Sequence, residues 1–289
     1  MGLHEEFEAH PVAFLRKYAL DPGDLHPRRP RPLDRRGADQ IFSPNISKHY
    51  FERPLKYGGG VGSVKGITHR KFEDVLSTFK FVRAGEGNVV HLEKVDDVTE
   101  WGVDMYYLPW EPQAVTSMTL PGNLGGDYFT TASLSGCSVF VRGNADNPTI
   151  YHAGCESKSK YETTELWRAC IRKLGVNHAT PNFYGIDKYD YKKARARGVK
   201  EDTSLQEAIH SHNYGGYKKL IVMESAGCVV GIKEKDTKRW NFYLQERCQY
   251  KILEIGTGAS HVYWTPVSLR RFFPTGAKHV QLLRHYQFR

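Results

Sequence analysis

Short apolar runs, separated by polar or glycine-containing segments, recur along the chain after residue 78. Runs of this length, rich in β-branched and aromatic residues, predict strands of a packed sheet. The runs cover residues 79–82, 88–92, 138–141, 149–152, 220–223, 228–233, 239–245 and 250–255. We therefore expect the core to be a sheet assembly.

Helical periodicity is confined to a few segments. Residues 161–174 place apolar side chains on one helical face and are followed by Gly175, a residue that commonly ends helices. A second helix is predicted over residues 203–211, and a short one near Pro11, because proline suits the first helical turn. A central, sandwich-like β-sheet assembly with peripheral helices predicts an α+β fold.

The chain of 289 residues is long enough for one large core. Residues 21–36 carry four prolines with many basic residues and few apolar ones, which is typical of a linker or arm. We place a soft boundary near Gln40, giving an N-terminal arm over 1–40 and a main domain over 41–289. The start lacks the basic and apolar regions of a Sec signal, and no run approaches the roughly 20 apolar residues of a membrane span.

The net charge of +9 is concentrated in residues 26–36 and 186–200. Such basic segments suit an acidic protein surface, anionic lipid or nucleic acid, but no known nucleic-acid-binding module is present. Five cysteines without a CxxC pair favour a reducing compartment over a disulfide scaffold. The glycine-rich segment 57–66 does not match the GxxxxGK[ST] phosphate-binding pattern, so no cofactor is expected.

Residues 130–154, TTASLSGCSVFVRGNADNPTIYHAG, predict two strands joined by a loop rich in Asn, Asp and Pro. Cys137 lies at the start of the first strand and His152, 15 residues later, near the end of the second. Antiparallel pairing would bring the two side chains together at one edge of this hairpin.

A thiol beside an imidazole is a pair suited to nucleophilic catalysis. The ring can take the proton of Cys137 and stabilise the thiolate, so that His152 acts as base. Gly136 leaves room for a substrate carbonyl, and the amides of Ser135, Gly136 and Cys137 are candidate donors to a developing oxyanion.

The motif Leu134-Ser135-Gly136-Cys137 resembles the LSGC motif of the cytotoxic necrotizing factors and the Burkholderia lethal factor. The sequence separation of 15 residues between Cys137 and His152 is similar to that in the necrotizing factors. Thr131, six residues before the cysteine, stands where the lethal factor and the bacterial chemoreceptor deamidases have a threonine. The resemblance implies that either Thr131 or a backbone carbonyl, for which residues 102–106 are candidates, orients the histidine.

This resemblance implies a necrotizing-factor-like toxin deamidase, a hydrolase that converts one glutamine of a host protein to glutamate. Rho-family GTPases and translation-initiation helicases are the kinds of target it implies. The chain would then be a monomeric virulence effector, secreted by a non-Sec route and acting in host cytoplasm. Its N-terminal arm would be a candidate secretion or chaperone-binding segment.

Other interpretations of the same residues stay open. The dyad would also serve a transglutaminase or a cysteine protease. His152 and Cys155, with Cys137 or Cys170, have the residue types of a zinc site, and a lone cysteine in a strand is most often a small buried hydrophobe. From a different class, residues 28–36 and 192–200 could serve a non-catalytic nucleic-acid binder.

Overall fold

The computed structural model describes residues 2–22, 66–70, 75–83, 88–95, 101–110, 114–123, 125–154, 183–186, 190–191, 218–254 and 257–274. Within these ranges lie two short helices, α1 (Leu3–Ala9) and α2 (Pro11–Lys17), of which α2 begins at the proline that predicted it. The strands are β1 (Ala19–Asp21), β2 (Gly66–Arg70), β3 (Leu76–Arg83), β4 (Val89–Lys94), β5 (Val103–Leu108), β6 (Ala114–Thr119), β7 (Tyr128–Thr131), β8 (Ser138–Arg142), β9 (Thr149–Gly154), β10 (Phe183–Ile186), β11 (Lys218–Lys233), β12 (Trp240–Glu254) and β13 (Ser260–Phe273).

The described part of the chain is mainly β, which corrects the α+β prediction. The predicted sheet assembly is present, but α1 and α2 have only seven residues each. The helices predicted over 161–174 and 203–211 lie outside the described residues.

Eight strands form a large mixed sheet in the order β1-β4-β3-β5-β7-β11-β12-β13. The pairs β1–β4 and β5–β7 are parallel, and the other neighbours are antiparallel. A smaller five-stranded sheet has the order β10-β8-β9-β6-β2, in which only the β6–β2 pair is parallel. The antiparallel β8–β9 hairpin is the one that the sequence predicts around Cys137 and His152.

The first core lies between the two sheets. Side chains alternate across a strand, so each strand of the large sheet sends every second residue into this core. On β5, for example, Tyr106 and Leu108 belong to the same buried cluster as Val139 and Ile150 of the small sheet. The hairpin is therefore packed on the large sheet through its inner face.

The second core lies on the opposite face of the large sheet and includes the N-terminal segment. Phe7, Phe14 and Leu15 are completely or almost completely buried there, with alternate residues of the large sheet such as Met105. Apolar burial of this kind is the main favourable term in folding. Residues 2–22 thus pack on the sheet, while the boundary expected near residue 40 lies outside the described residues.

Two buried polar side chains of β12 bind the backbone of the N-terminal segment. The Gln245 amide nitrogen donates to the carbonyls of Leu15 and Tyr18 at 2.6 and 2.7 Å, and its oxygen accepts from the Leu20 amide at 2.7 Å. Arg247 donates to the Leu20 carbonyl at 2.6 Å. Its guanidinium also reaches the carboxylate of Asp21 at 2.7 Å and the hydroxyl of Ser133 at 2.8 Å, just before the LSGC motif. These bonds satisfy groups that would be costly to bury unpaired.

Candidate functional site

The β8–β9 hairpin places Cys137 and His152 on one face of the small sheet. Val139 lies directly opposite His152, and Cys137 precedes Val139 by two residues. Residues two apart on a strand share a face, and Cys137 and Val139 both lie in the core between the sheets. Cys137 is therefore the diagonal neighbour of His152, a relation that corresponds to about 7 to 8 Å between Cα atoms and less between side chains.

Cys137 lies at the end of a short turn that is open to solvent. Its own exposed fraction is 8%, whereas Ser135 and Gly136 are exposed and Leu134 is completely buried. Leu134 forms a two-bond bridge with Gly227 of β11, with N···O distances of 2.6 and 3.0 Å. The turn is therefore hydrogen-bonded to the large sheet through Leu134. Gly136, next to the thiol-bearing residue, is exposed to solvent.

Gly136 borders open space. A Cβ atom added to it would meet no atom of the described residues within 4 Å, and its backbone is not in the left-handed region that favours glycine. Neither crowding within the chain nor backbone conformation therefore requires glycine here. Among the described residues, none fills the space beside Gly136, the residue that precedes Cys137.

His152 is completely buried between two neighbouring strands, opposite Thr116 on β6 and Val139 on β8. Burial lowers the pKa of the ring to about 4, and the nearby Leu108 carbonyl opposes this shift because it favours the charged ring. The Leu108 carbonyl oxygen and the ring do not meet the full geometric criteria of a hydrogen bond, so Nδ1 and Nε2 are both unpaired in this structure. His152 is thus a neutral imidazole with unused hydrogen-bonding capacity.

The carboxyl-terminal end of β5 brings the Leu108 carbonyl to the ring. Leu108 pairs in parallel with Thr131 of β7, and its carbonyl accepts the Ala132 amide at 3.0 Å. Thr116, opposite His152, donates its hydroxyl to the next carbonyl, that of Pro109, at 2.5 Å. A carbonyl oxygen has two lone pairs, so the Leu108 oxygen can accept a second donor beside Ala132.

The structure therefore brings together Cys137, His152 and a backbone carbonyl, but not the Thr131 hydroxyl. Thr131 is buried in the large sheet, where its Oγ1 accepts the Val229 amide at 3.2 Å. The carbonyl beside the ring belongs to Leu108, two residues beyond the candidate segment 102–106. The apolar stretch ending at Pro109 is the one sequence signal that could have extended the search to Leu108.

Sequence reasoning also missed Tyr191. Its buried hydroxyl donates to the carbonyl oxygen of Cys137 at 2.8 Å. The chain separation of 54 residues leaves no local pattern from which this contact could be predicted.

The other described thiols have different surroundings. Cys228 is completely buried, and burial raises its pKa to about 12. Cys248 is also buried, with its Sγ 3.5 Å from the Ser225 hydroxyl. A buried thiol with a raised pKa is a poor nucleophile, so Cys228 serves packing.

The residues of the alternative interpretations are only partly described. Over the described ranges, no three His, Cys, Asp or Glu side chains form a metal-binding group, and Cys155 and Cys170 lie outside those ranges. The basic residues 28–36 and 192–200 also lie outside them. None of the described helices has the length and apolar character needed to cross a membrane.

Comparison with known proteins adds a distant structural similarity. No protein-family model matches the sequence, and no curated protein matches it. Among solved structures, the chain is similar to the C-terminal domain of CNFy from Yersinia pseudotuberculosis, with a TM-score of 0.22 and 8% identity. The match covers 59% of this chain and 62% of the length of that domain.

Proposed function

We propose that this chain is a toxin-type protein-glutamine deamidase in which Cys137 is the nucleophile and His152 the general base and acid. One observation carries the proposal: both side chains lie on one face of one hairpin, and the unpaired imidazole lies beside the Leu108 carbonyl. The resemblance of residues 134–137 to the LSGC motif supports the same chemistry. No metal or cofactor is required for it.

In the first step, Cys137 transfers its proton to His152 and its sulfur attacks the carboxamide carbon of a glutamine side chain. A C–S bond forms, and the former carbonyl oxygen carries the negative charge of a tetrahedral intermediate. The backbone amides of the exposed turn 135–137 are its candidate donors. Collapse of the intermediate breaks the C–N bond, and the protonated His152 gives its proton to the departing ammonia.

In the second step, His152 takes a proton from a water molecule that attacks the thioester carbon. The C–S bond breaks, the protonated His152 returns its proton to the sulfur, and the product is glutamate. The Leu108 carbonyl has a role in both steps, because it favours the imidazolium that forms transiently in a buried site. Thr131 then supports the sheet beneath Leu108 and does not orient the ring.

The exposure of the site suits a side-chain amide on a folded partner. His152 is completely buried and Cys137 is nearly so, while Gly136 borders open space. A glutamine on a loop can extend its carboxamide past Gly136 toward the thiol. Partner selection would then depend on surface loops around the hairpin and on the basic segments of the sequence, with an acidic surface on the partner as their complement.

The proposed setting follows the same interpretation. The chain would act as a virulence effector in host cytoplasm after secretion by a non-Sec route, with a host GTPase or helicase as the kind of substrate expected. Replacing a neutral amide by a carboxylate adds one negative charge and removes two hydrogen-bond donors. Such a change at a switch residue is sufficient to disable it.

The function is tested by peptide mass spectrometry of eukaryotic lysate proteins treated with the wild-type chain or with Cys137→Ser. We expect glutamines that gain about one dalton, as amide becomes acid, only in the wild-type sample. Added primary amine tests transglutamination, which would give amine adducts in place of glutamate. Cleaved peptide bonds would identify a protease, and an unchanged proteome would overturn the enzymatic proposal.

Replacement of Gly136 by alanine is expected to lower kcat/KM for a protein substrate about tenfold while leaving the fold intact, since one misplaced contact at a reacting centre has effects of this order. The added methyl group meets no atom in the part of the chain that the structure describes, but it occupies the space through which we propose the carboxamide approaches. Steady-state ammonia release and thermal unfolding measure the two effects. Full activity in Gly136→Ala would place the substrate approach elsewhere.

A further inference from the structure

Tyr191 contacts the backbone of the proposed nucleophile. Its hydroxyl donates a 2.8 Å hydrogen bond to the Cys137 carbonyl, and its side chain is completely buried in the core between the sheets. A hydrogen bond in such surroundings is not exchanged readily for one to water, so it restricts rotation of the Cys137 backbone.

The turn that carries the thiol is held by hydrogen bonds at both ends. Leu134 is bridged to Gly227, and Cys137 is bonded to Tyr191. Gly227 also lies against Tyr191, since a Cβ atom on this glycine would be 3.4 Å from the tyrosine Cβ. The two attachments therefore meet at one point of β11, and the exposed residues Ser135 and Gly136 lie between them.

An ion pair attaches the neighbouring residue to the large sheet. Asp190 accepts from Arg270 of β13 at 2.9 Å, with side chains 28% and 33% exposed. Partly exposed pairs contribute modestly to stability. This pair nevertheless limits the positions available to Tyr191, the next residue in the chain.

We infer that Tyr191 is a positioning residue for the site: by holding the Cys137 carbonyl, it keeps the thiol in its diagonal position toward His152. The kinetic consequence rests on the proposed function, whereas the effect on the thiol itself does not. Displacing a reacting group by about 1 Å can cost up to a hundredfold in rate. Without the Tyr191 hydroxyl, the turn still keeps the bridge between Leu134 and Gly227. We therefore expect a loss of rate smaller than a hundredfold.

The test is Tyr191→Phe, which retains the ring and removes only the hydroxyl. We expect kcat for deamidation to fall about tenfold with KM little changed, because positioning acts on the reacting atoms and not on partner binding. Independently of any substrate, the pH midpoint of Cys137 alkylation by iodoacetamide should differ between Tyr191→Phe and the wild type, because displacement changes the surroundings of the thiol. Peptide mapping assigns the alkylation to Cys137.

Tyr18→Phe is the matched control, because it removes a tyrosine hydroxyl that accepts from Arg83 at 2.9 Å in the second core. It should leave both readouts unchanged. If Tyr191→Phe does not fold, Arg270→Gln breaks the Asp190 pair and should shift both readouts in the same direction by a smaller amount.

An unchanged kcat in a folded Tyr191→Phe variant would overturn the inference. Faster alkylation with an unchanged midpoint would also overturn it, because the hydroxyl would then only restrict access to the thiol. If the wild type itself releases no ammonia from glutamine, the deamidase proposal fails, and the alkylation midpoint alone decides the role of Tyr191.

Discussion

Replacement of Cys137 by serine is expected to lower kcat for glutamine deamidation by at least about a thousandfold, roughly 4 kcal/mol in activation free energy. A neutral imidazole can accept a thiol proton, but the hydroxyl of serine is far less acidic. Among the described residues, no side chain hydrogen-bonds the His152 ring to assist it. Ammonia release from a purified protein substrate, together with the mass of the target peptide, measures the loss.

The control for this substitution is Cys248→Ser, which makes the same atomic change at another buried thiol. Cys248 already lies 3.5 Å from a serine hydroxyl, so its surroundings tolerate a polar atom. We expect Cys248→Ser to retain most of the wild-type activity, and both variants to unfold within a few degrees of the wild type. Appreciable turnover by Cys137→Ser would contradict the nucleophile assignment and return Cys137 to a packing role.

The hairpin could be predicted from the sequence because all the information it needs is local. Apolar alternation defines β8 and β9, the intervening Asn, Asp and Pro define the loop, and the register follows from burying one face. Val139 opposite His152 is the result of that register. About 25 residues of sequence are therefore sufficient to predict that the two candidate catalytic residues lie on the same face of one hairpin.

The group beside the imidazole could not be predicted in the same way. Leu108 reaches His152 because β5 pairs with β7 in the large sheet and the small sheet packs over its end. That contact depends on how two sheets pack, which no short pattern encodes. Thr131 has the expected spacing, but its hydroxyl accepts the Val229 amide in the large sheet.

The long strands show why the predicted runs were too short. The runs 220–223 and 228–233 are parts of the single strand β11, in which the register shifts between Val222 and Glu224. Strand β13 escaped prediction because Pro266 interrupts its pattern. It is the last strand of its sheet, and proline is tolerated at a sheet edge.

Residues 2–22 make contacts that no local sequence pattern specifies. Phe7, Phe14 and Leu15 are buried in the second core. Gln245 and Arg247 then bind the backbone of the same segment from β12. These partners lie more than 220 residues away in the chain, so the sequence alone gives no sign of them.

The burial of the His152 imidazole also predicts a large effect of pH on folding stability. In the folded protein the pKa of His152 is lowered to about 4, whereas an unperturbed histidine has 6.5. Between these values the unfolded chain binds a proton that the folded chain excludes. Stability from this group is therefore complete above pH 6.5 and is lost as pH falls toward 4.

Because one unit of pKa difference corresponds to about 1.4 kcal/mol, acidification across this window should remove roughly 3 kcal/mol of unfolding free energy through His152. His152→Leu, similar in volume and without unpaired nitrogens, should lose that much less between pH 6.5 and 4 in urea titrations. It should also lack deamidase activity at every pH. His10→Gln, at an exposed position, should retain the wild-type acid sensitivity. Parallel stability curves for wild type and His152→Leu would contradict the prediction, because they would show that burial does not lower the pKa of His152.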